Sequence, residues 1–114
     1  MALAIASREV DGVTVLELSG RITLGEGSVQ LRDAIRDAIA KGQRNILVDL
    51  GEVSYIDSSG LGELVSAYTT ARNQGAKLKL LKLTKKVHDL LQLTKLYTVF
   101  DIYDDEASAI ASYK

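Results

Sequence analysis

The sequence predicts a single α/β domain in which a mixed sheet of about five strands is covered by about four helices, in the order ββαβαβαβα. Three observations lead to this fold class. The length of 114 residues suits one domain. Apolar residues make up 46% and charged residues 25% of the chain, which is close to globular averages and argues against disorder. Segments with strand periodicity alternate with segments of helical periodicity, so we expect residues 1–114 to form one domain with βαβ units.

A hairpin is expected at the start of the chain. Residues 13–18 alternate apolar and polar side chains after the turn signal Asp11-Gly12, and residues 3–7 are expected to pair with them. Loops are expected at Ser19-Gly20 and, in flexible form, at residues 25–27.

The middle of the chain has the pattern of a helix, a buried strand and a second helix. The first helix has apolar residues at helical spacing and ends at Gly42, and these residues are Leu31, Ile35, Ala38 and Ile39. Residues 46–50 are nearly all apolar, as in a central strand buried on both faces. The second helix follows residues 57–60 and ends at residues 73–75, with one apolar face formed by Leu61, Leu64, Val65 and Tyr68.

The last third is expected to contain two strands and two short helices. Residues 77–83 form a candidate strand, and Thr84 can cap the short helix that follows it. Residues 98–103 are the last candidate strand, and the acidic residues 104–106 open a terminal helix. Each crossover between parallel strands should be right-handed.

Composition excludes several classes of function. The chain has no cysteine and one histidine, His88, which excludes a thiolate or multi-histidine metal site within one chain and a cysteine nucleophile. We expect neither a metal nor a cofactor. The net charge of -1 and an aromatic content of 5% argue against direct nucleic-acid binding. No apolar run approaches the roughly 20 residues of a membrane span, and the apolar start before Arg8 is too short for a signal peptide. These features, with the lack of disulfides, fit a cytoplasmic protein. The lysines between residues 77 and 86 are expected to form a solvated face.

The most informative segment, residues 53–62, joins a buried strand to a helix. Asp57, Ser58 and Ser59 are all favourable N-cap residues, so one interpretation is a redundant helix cap with two packing glycines. The other interpretation is a binding site. Three features favour a binding site. Two hydroxyls exceed what one cap needs, and Gly60 and Gly62 leave the backbone uncovered by side chains. In addition, α/β folds place ligands and partners beyond strand ends.

Three other chemistries are poorly supported. Residues 25–27 have neither a third glycine nor a Walker lysine for phosphate binding. A serine hydrolase would need His88 as the base for Ser58 or Ser59, but the G-x-S-x-G elbow is absent. The four acidic residues between positions 101 and 106 lack the order of a calcium loop, so we interpret them as capping the last helix and stabilising its dipole. They are Asp101, Asp104, Asp105 and Glu106.

Residues 46–62 resemble the STAS domain of bacterial anti-sigma factor antagonists, and the segment DSSGLG at residues 57–62 is the most specific part of the likeness. Residues 75–81, 87–91 and 97–100 also resemble that family, so the likeness covers nearly the whole chain.

The resemblance implies a fold and a regulatory role without enzymatic activity. It places phosphorylation on Ser58, the serine directly after the aspartate, by an anti-sigma factor that has serine kinase activity. The unphosphorylated form would bind that kinase and release a sigma factor, and a phosphoserine phosphatase would restore binding after phosphorylation. The implied partner-binding residues are Asp57, Ser58, Ser59, Gly60, Leu61 and Gly62, with Thr23, Gly25 and Glu26 alongside.

One position departs from the family pattern, because Thr23 stands near the place where some members carry an aspartate that touches the partner. A second interpretation keeps the same helix N-terminus but a different role. The chain would then be a constitutive STAS subunit of a transporter or signalling complex, or a sensor of a small anionic ligand.

Overall fold

The computed structural model describes residues 3–114, and Met1 and Ala2 of the expected domain lie outside the described residues. The elements follow the expected order. They are β1 (Leu3–Val10), β2 (Val13–Ile22), α1 (Glu26–Ala40), β3 (Asn45–Ile56), α2 (Ser58–Asn73), β4 (Lys77–Leu81), α3 (Lys85–Leu93), a 3₁₀ turn (Tyr97–Val99), β5 (Ile102–Tyr103) and α4 (Glu106–Ala111).

The strands form one five-stranded mixed sheet in the order β1-β2-β3-β4-β5. The first pair is antiparallel and the other three pairs are parallel. Asp11 and Gly12 close the hairpin with positive φ angles of 50° and 80°, the requirement of a tight two-residue turn. The predicted hairpin and the mixed sheet are therefore confirmed.

The expected loop at Ser19-Gly20 is instead part of β2. The β2–β3 register shifts between Glu17 and Ser19 and again between Gly20 and Arg21, with β3 contributing one more residue each time. Such bulges bend and twist a strand pair without ending it. The small residues at 19 and 20 thus accompany a bend, and β2 continues to Ile22.

Two buried clusters lie on opposite faces of the sheet. Successive residues of β3 belong to the two clusters in turn. Ile46 and Val48 belong to the cluster that α1, α2 and α3 cover, and Leu47 belongs to the cluster that α4 covers. The prediction of a central strand buried on both faces is confirmed.

The predicted last strand, residues 98–103, is wrong for most of its length. Only residues 102 and 103 pair with β4, and the segment before them forms the 3₁₀ turn. Phe100 is buried and packs edge-on against Tyr68 of α2, with ring centroids 5.4 Å apart. Phe100 therefore packs into the core instead of extending the strand. The preceding strand β4 likewise ends at Leu81, two residues early, because Lys82 has a positive φ of 56°.

Lys79 contradicts the expectation that the lysines of residues 77–86 form a solvated face, because it is only 8% exposed. Its ammonium group donates to the backbone oxygen and the hydroxyl of Ser112, at 3.2 and 2.8 Å. It also lies over the rings of Tyr113 and Tyr103, at 4.6 and 5.6 Å. These contacts attach the end of α4 to the sheet. Asp105 caps the start of α4 through Ser108 N–H, as expected of the acidic cluster.

Candidate functional site

The N-terminus of α2 is capped by Asp57. Its backbone is extended, and its Oδ1 atom accepts the Gly60 N–H at 2.7 Å. The sequence offered three candidate caps, and the structure uses only the first. The hydroxyls of Ser58 and Ser59 are therefore not needed for capping, and Ser58, the first residue of the helix, is exposed while Ser59 is half-buried.

Asp57 also joins the start of α2 to the loop between β2 and α1. Its Oδ2 atom accepts the Leu24 N–H at 3.1 Å, and its own N–H donates to the Ile22 carbonyl at 3.3 Å. The amide of Gly60, followed by that of Leu24, holds the pKa of the Asp57 carboxyl below its usual range against the opposing effect of desolvation. An ionised carboxylate at neutral pH thus connects the two segments.

Gly60 makes this junction sterically possible. It is buried, and a Cβ atom at this position would lie 2.1 Å from the Ile22 carbonyl oxygen. Only glycine lets the helix approach the end of β2 so closely. At Gly62 the space is open, with no heavy atom within 4 Å of an added Cβ, and the residue is exposed.

The predicted partner-binding residues of α2 therefore divide into two groups. Leu61 is only 3% exposed and belongs to the core, and Gly60 faces β2, so neither presents a surface to a partner. Ser58 and Gly62 lie on the surface, and the half-buried Ser59 is partly accessible beside Ser58. The glycines of this segment thus differ in role, since Gly60 permits close packing of α2 against β2, whereas Gly62 leaves the exposed face of the helix without a side chain at that position.

The segment of residues 25–27, predicted to be a flexible loop, is the start of α1. Gly25 is the N-cap residue with a φ of 97°, and Glu26 begins the helix. The Ser28 amide donates to the Thr23 carbonyl at 3.1 Å, and the Ser28 hydroxyl donates to the Gly25 carbonyl at 3.1 Å. The predicted residues Thr23, Gly25 and Glu26 are thus held in an ordered turn beside α2.

Leu24 lies between two predicted residues, but sequence reasoning gave it no role of its own. Its side chain is 77% exposed. The available signal was its position, since a large apolar residue in a short connection belongs to neither the strand alternation nor the helical stripe.

Two positively charged side chains lie over the ring of Tyr55 near this site. The Arg21 guanidinium lies 4.8 Å and the Lys86 ammonium 5.3 Å from the ring centroid. Arg21 comes from the end of β2 and Tyr55 from the end of β3, so the patch adjoins both segments that Asp57 joins.

A hydrolytic arrangement is not assembled within residues 3–114. His88 packs edge-on against Tyr97 with centroids 5.1 Å apart, and its Nδ1 atom is 3.6 Å from an oxygen of Asp89. No hydrogen bond joins it to Ser58 or Ser59 in this part of the chain. A groove of about 650 Å³ lies between β1 and α1, away from the start of α2.

Comparison with known proteins agrees with the fold. Residues 4–109 match the model of the STAS domain family. The chain is 30% identical over 111 residues to an anti-sigma F factor antagonist of Paenibacillus polymyxa, covering 96% of this chain and 94% of that protein.

Two solved structures show the same fold at lower identity. An anti-sigma factor antagonist from Mycobacterium paratuberculosis superposes with a TM-score of 0.82 at 21% identity, covering 97% of this chain and 93% of that one. The Bacillus cell fate determinant SpoIIAA in its phosphorylated form superposes with a TM-score of 0.75 at 22% identity, covering 97% of this chain and 100% of that one.

In the part of this chain that the structure describes, none of the helices has the length and apolar character needed to cross a membrane.

Proposed function

This chain belongs to the STAS domain family, and we propose that it is an anti-sigma factor antagonist that acts as a binding module and not as an enzyme. In the unphosphorylated form it binds an anti-sigma factor with serine kinase activity and so releases a sigma factor for transcription. Phosphorylation of Ser58 by that partner ends the binding, and a phosphoserine phosphatase restores it. We place this cycle in the bacterial cytoplasm.

The observation that carries the proposal is the state of Ser58. Its side chain is exposed at the first position of α2, and capping of that helix is done by Asp57. The hydroxyl is therefore accessible to a kinase, and its modification removes no hydrogen bond that starts the helix. A structural role alone does not require a second hydroxyl here.

The fold should tolerate a phosphate on Ser58. The group adds about -1.5 to -2 charges at neutral pH, next to the ionised Asp57. In exposed positions this repulsion is screened by water and salt to about 1 kcal/mol, and the positive end of the helix dipole offsets part of it. We therefore expect phosphorylation to leave the folded structure intact.

The same charge is much more costly inside an interface. Weakening binding 100-fold requires about 2.7 kcal/mol. Two like charges about 5 Å apart at an effective dielectric constant of 20 repel by about 3 kcal/mol. One phosphate facing an acidic group or an unpaired polar group of the partner is therefore sufficient to weaken binding by this factor. The volume of the phosphate adds a steric clash.

We assign different roles to the residues of the site. Ser58, Ser59 and Gly62 form the contact surface on α2. Thr23, Gly25 and Glu26 extend it along the β2–α1 turn. Asp57, Gly60 and Leu61 position these two segments, through the hydrogen bonds, close packing and burial described above.

Partner capture with charge variants tests the proposal. Wild type, Ser58→Ala and Ser58→Asp would be used as baits in native lysate, with phosphate mapped on recovered wild type by mass spectrometry. Ser66→Asp is a matched control, because Ser66 is an exposed serine further along the same helix. We expect wild type, Ser58→Ala and Ser66→Asp to retain an anti-sigma factor and Ser58→Asp to lose it. In the recovered wild-type protein, we expect phosphate on Ser58.

Two results would contradict the proposal. Retention of the same partner by Ser58→Asp would remove the switch. Transporter subunits held equally by all baits, without phosphate on Ser58, would favour the constitutive-subunit interpretation instead.

A further inference from the structure

Within residues 3–114, four large apolar side chains are more than a third exposed, and one of them belongs to a residue whose amide is hydrogen-bonded to the N-cap residue of α2. The four are Leu24, Val29, Leu93 and Val99, and the residue bonded to the cap is Leu24. Leu24 is 77% exposed in the β2–α1 connection, and Val29, in the first two turns of α1, is 39% exposed. A leucine this exposed leaves most of the stabilisation available from its burial unused.

The backbone around Leu24 is fixed on both sides. The Leu24 amide donates to Asp57 Oδ2 at 3.1 Å, the Ser28 amide donates to the Thr23 carbonyl at 3.1 Å, and the Val29 amide donates to the Gly25 carbonyl at 3.0 Å. The side chain is therefore presented from an ordered turn. Preordered anchors lose less conformational entropy on binding than mobile ones.

Exposure alone would not single out Leu24, because isolated exposed leucines are ordinary. Leu93, at the C-terminal end of α3, is 80% exposed, but its amide is not hydrogen-bonded to Asp57. Leu24 differs because the N-cap carboxylate that starts the phosphoacceptor helix also holds its amide. Its position is thereby tied to that of Ser58.

We propose that Leu24 is the apolar anchor of the partner contact, and that the anti-sigma factor presents an apolar pocket to it. This inference rests on the proposed function and adds the chemistry of the partner. The residues from Ile22 to Gly25 carry no charge, so this part of the contact is not an ion pair. An apolar pocket is the surface that gains most from covering them.

A fluorescent label tests the environment of the anchor directly. The chain has no cysteine, so one introduced thiol is unique. Leu24→Cys and Leu93→Cys, each labelled with bimane, place the same dye at positions where the native leucines are 77% and 80% exposed. On addition of the purified anti-sigma factor recovered with wild type, we expect a blue shift at position 24 and none at position 93. Unchanged emission at position 24 while the partner is bound would overturn the inference.

Affinity measurements supply the second test. Leu24→Ala should weaken binding about 10- to 100-fold, the loss expected when one buried leucine side chain is truncated. Leu24→Met should retain most of the affinity because the methionine is apolar and similar in volume. Leu93→Ala should bind like wild type. All three variants should melt at the wild-type temperature, since neither leucine is buried in the free protein.

The outcomes separate the two proposals. If wild type binds the anti-sigma factor and Ser58→Asp does not, but Leu24→Ala binds like wild type, the anchor is wrong and the switch stands. If wild type binds no anti-sigma factor, the proposed function fails, and the anchor fails with it.

Discussion

Replacing Gly60 with alanine should destabilise the protein, whereas the same replacement at Gly62 should stabilise it. An alanine Cβ at position 60 would lie 2.1 Å from the carbonyl oxygen and 2.9 Å from the carbonyl carbon of Ile22. Both contacts involve backbone, so the start of α2 must move away from β2 by about 1 Å to reach a tolerable separation.

That movement affects the hydrogen bonds of the junction. The Asp57 N–H to Ile22 carbonyl distance is already 3.3 Å, and the Leu24 N–H to Asp57 Oδ2 distance is 3.1 Å. Overpacking of a well-packed site typically costs about 1–3 kcal/mol, and each lost hydrogen bond costs about 1 kcal/mol. The better helix propensity of alanine returns up to about 1 kcal/mol. We expect a net loss of about 2–3 kcal/mol in the free energy of unfolding.

Thermal and urea unfolding, followed by circular dichroism, measure this effect. For a chain of this length 1 kcal/mol corresponds to about 4 °C in the melting temperature. Gly60→Ala should therefore melt about 8–12 °C below wild type. Gly62→Ala, which has open space around its Cβ, should melt up to about 4 °C above wild type. Failure of Gly60→Ala alone to fold would agree with the same reasoning. A Gly60→Ala variant as stable as Gly62→Ala would refute it.

Two further predictions concern stability. Asp57→Asn should lower the free energy of unfolding by about 1–2 kcal/mol at pH 7, because the amide has one oxygen for the two N–H groups that Asp57 binds. Since the pKa of Asp57 is lowered in the folded protein, the wild-type advantage should be full above about pH 4 and shrink as the pH falls through the lowered pKa. Urea unfolding between pH 7 and pH 3 measures this, and an advantage independent of pH would contradict it. Lys79→Ala should cost about 1–3 kcal/mol by thermal unfolding, because the Ser112 hydroxyl and the Tyr113 ring lose the buried cation. Lys77→Ala, exposed on the same strand, should be nearly neutral, and equal losses in the two variants would argue against this role of Lys79.

Much of the fold was predictable because local signals and burial patterns agree along the chain. Asp11-Gly12 determines a tight turn, and the apolar run around Leu47 indicates a strand covered on both faces. Thr84 caps α3 as predicted, accepting the Val87 N–H. Each of these features depends on a few neighbouring residues.

The errors have tertiary causes. Residues 98–103 have strand-forming side chains, but only residues 102 and 103 pair with β4, while Phe100 packs against Tyr68 in the core. Lys79 has the sequence context of a surface lysine, yet the end of α4 returns over it and supplies Ser112 and the Tyr113 ring, while β5 supplies the Tyr103 ring. Neither arrangement follows from spacing along the chain.

The candidate site was predictable in location but not in the roles of its residues. The segment of residues 57–62 was recognisable, and three possible caps preceded the helix. Which residue caps α2 depends on the position of Leu24, some thirty residues earlier, because Asp57 binds both the helix and that turn. The distinction between buried Gly60 and exposed Gly62 likewise depends on where β2 ends.

The most direct test of the switch is the affinity of the phosphorylated protein. Phosphoserine can be incorporated at position 58 during translation, so that preparation of this form does not depend on a kinase. Isothermal titration calorimetry would then compare it with the unmodified chain against the same purified anti-sigma factor. We predict binding at least about 100-fold weaker for the phosphorylated form, equivalent to about 2.7 kcal/mol, with both forms folded. Equal affinities of the two forms would contradict the proposed switch at Ser58.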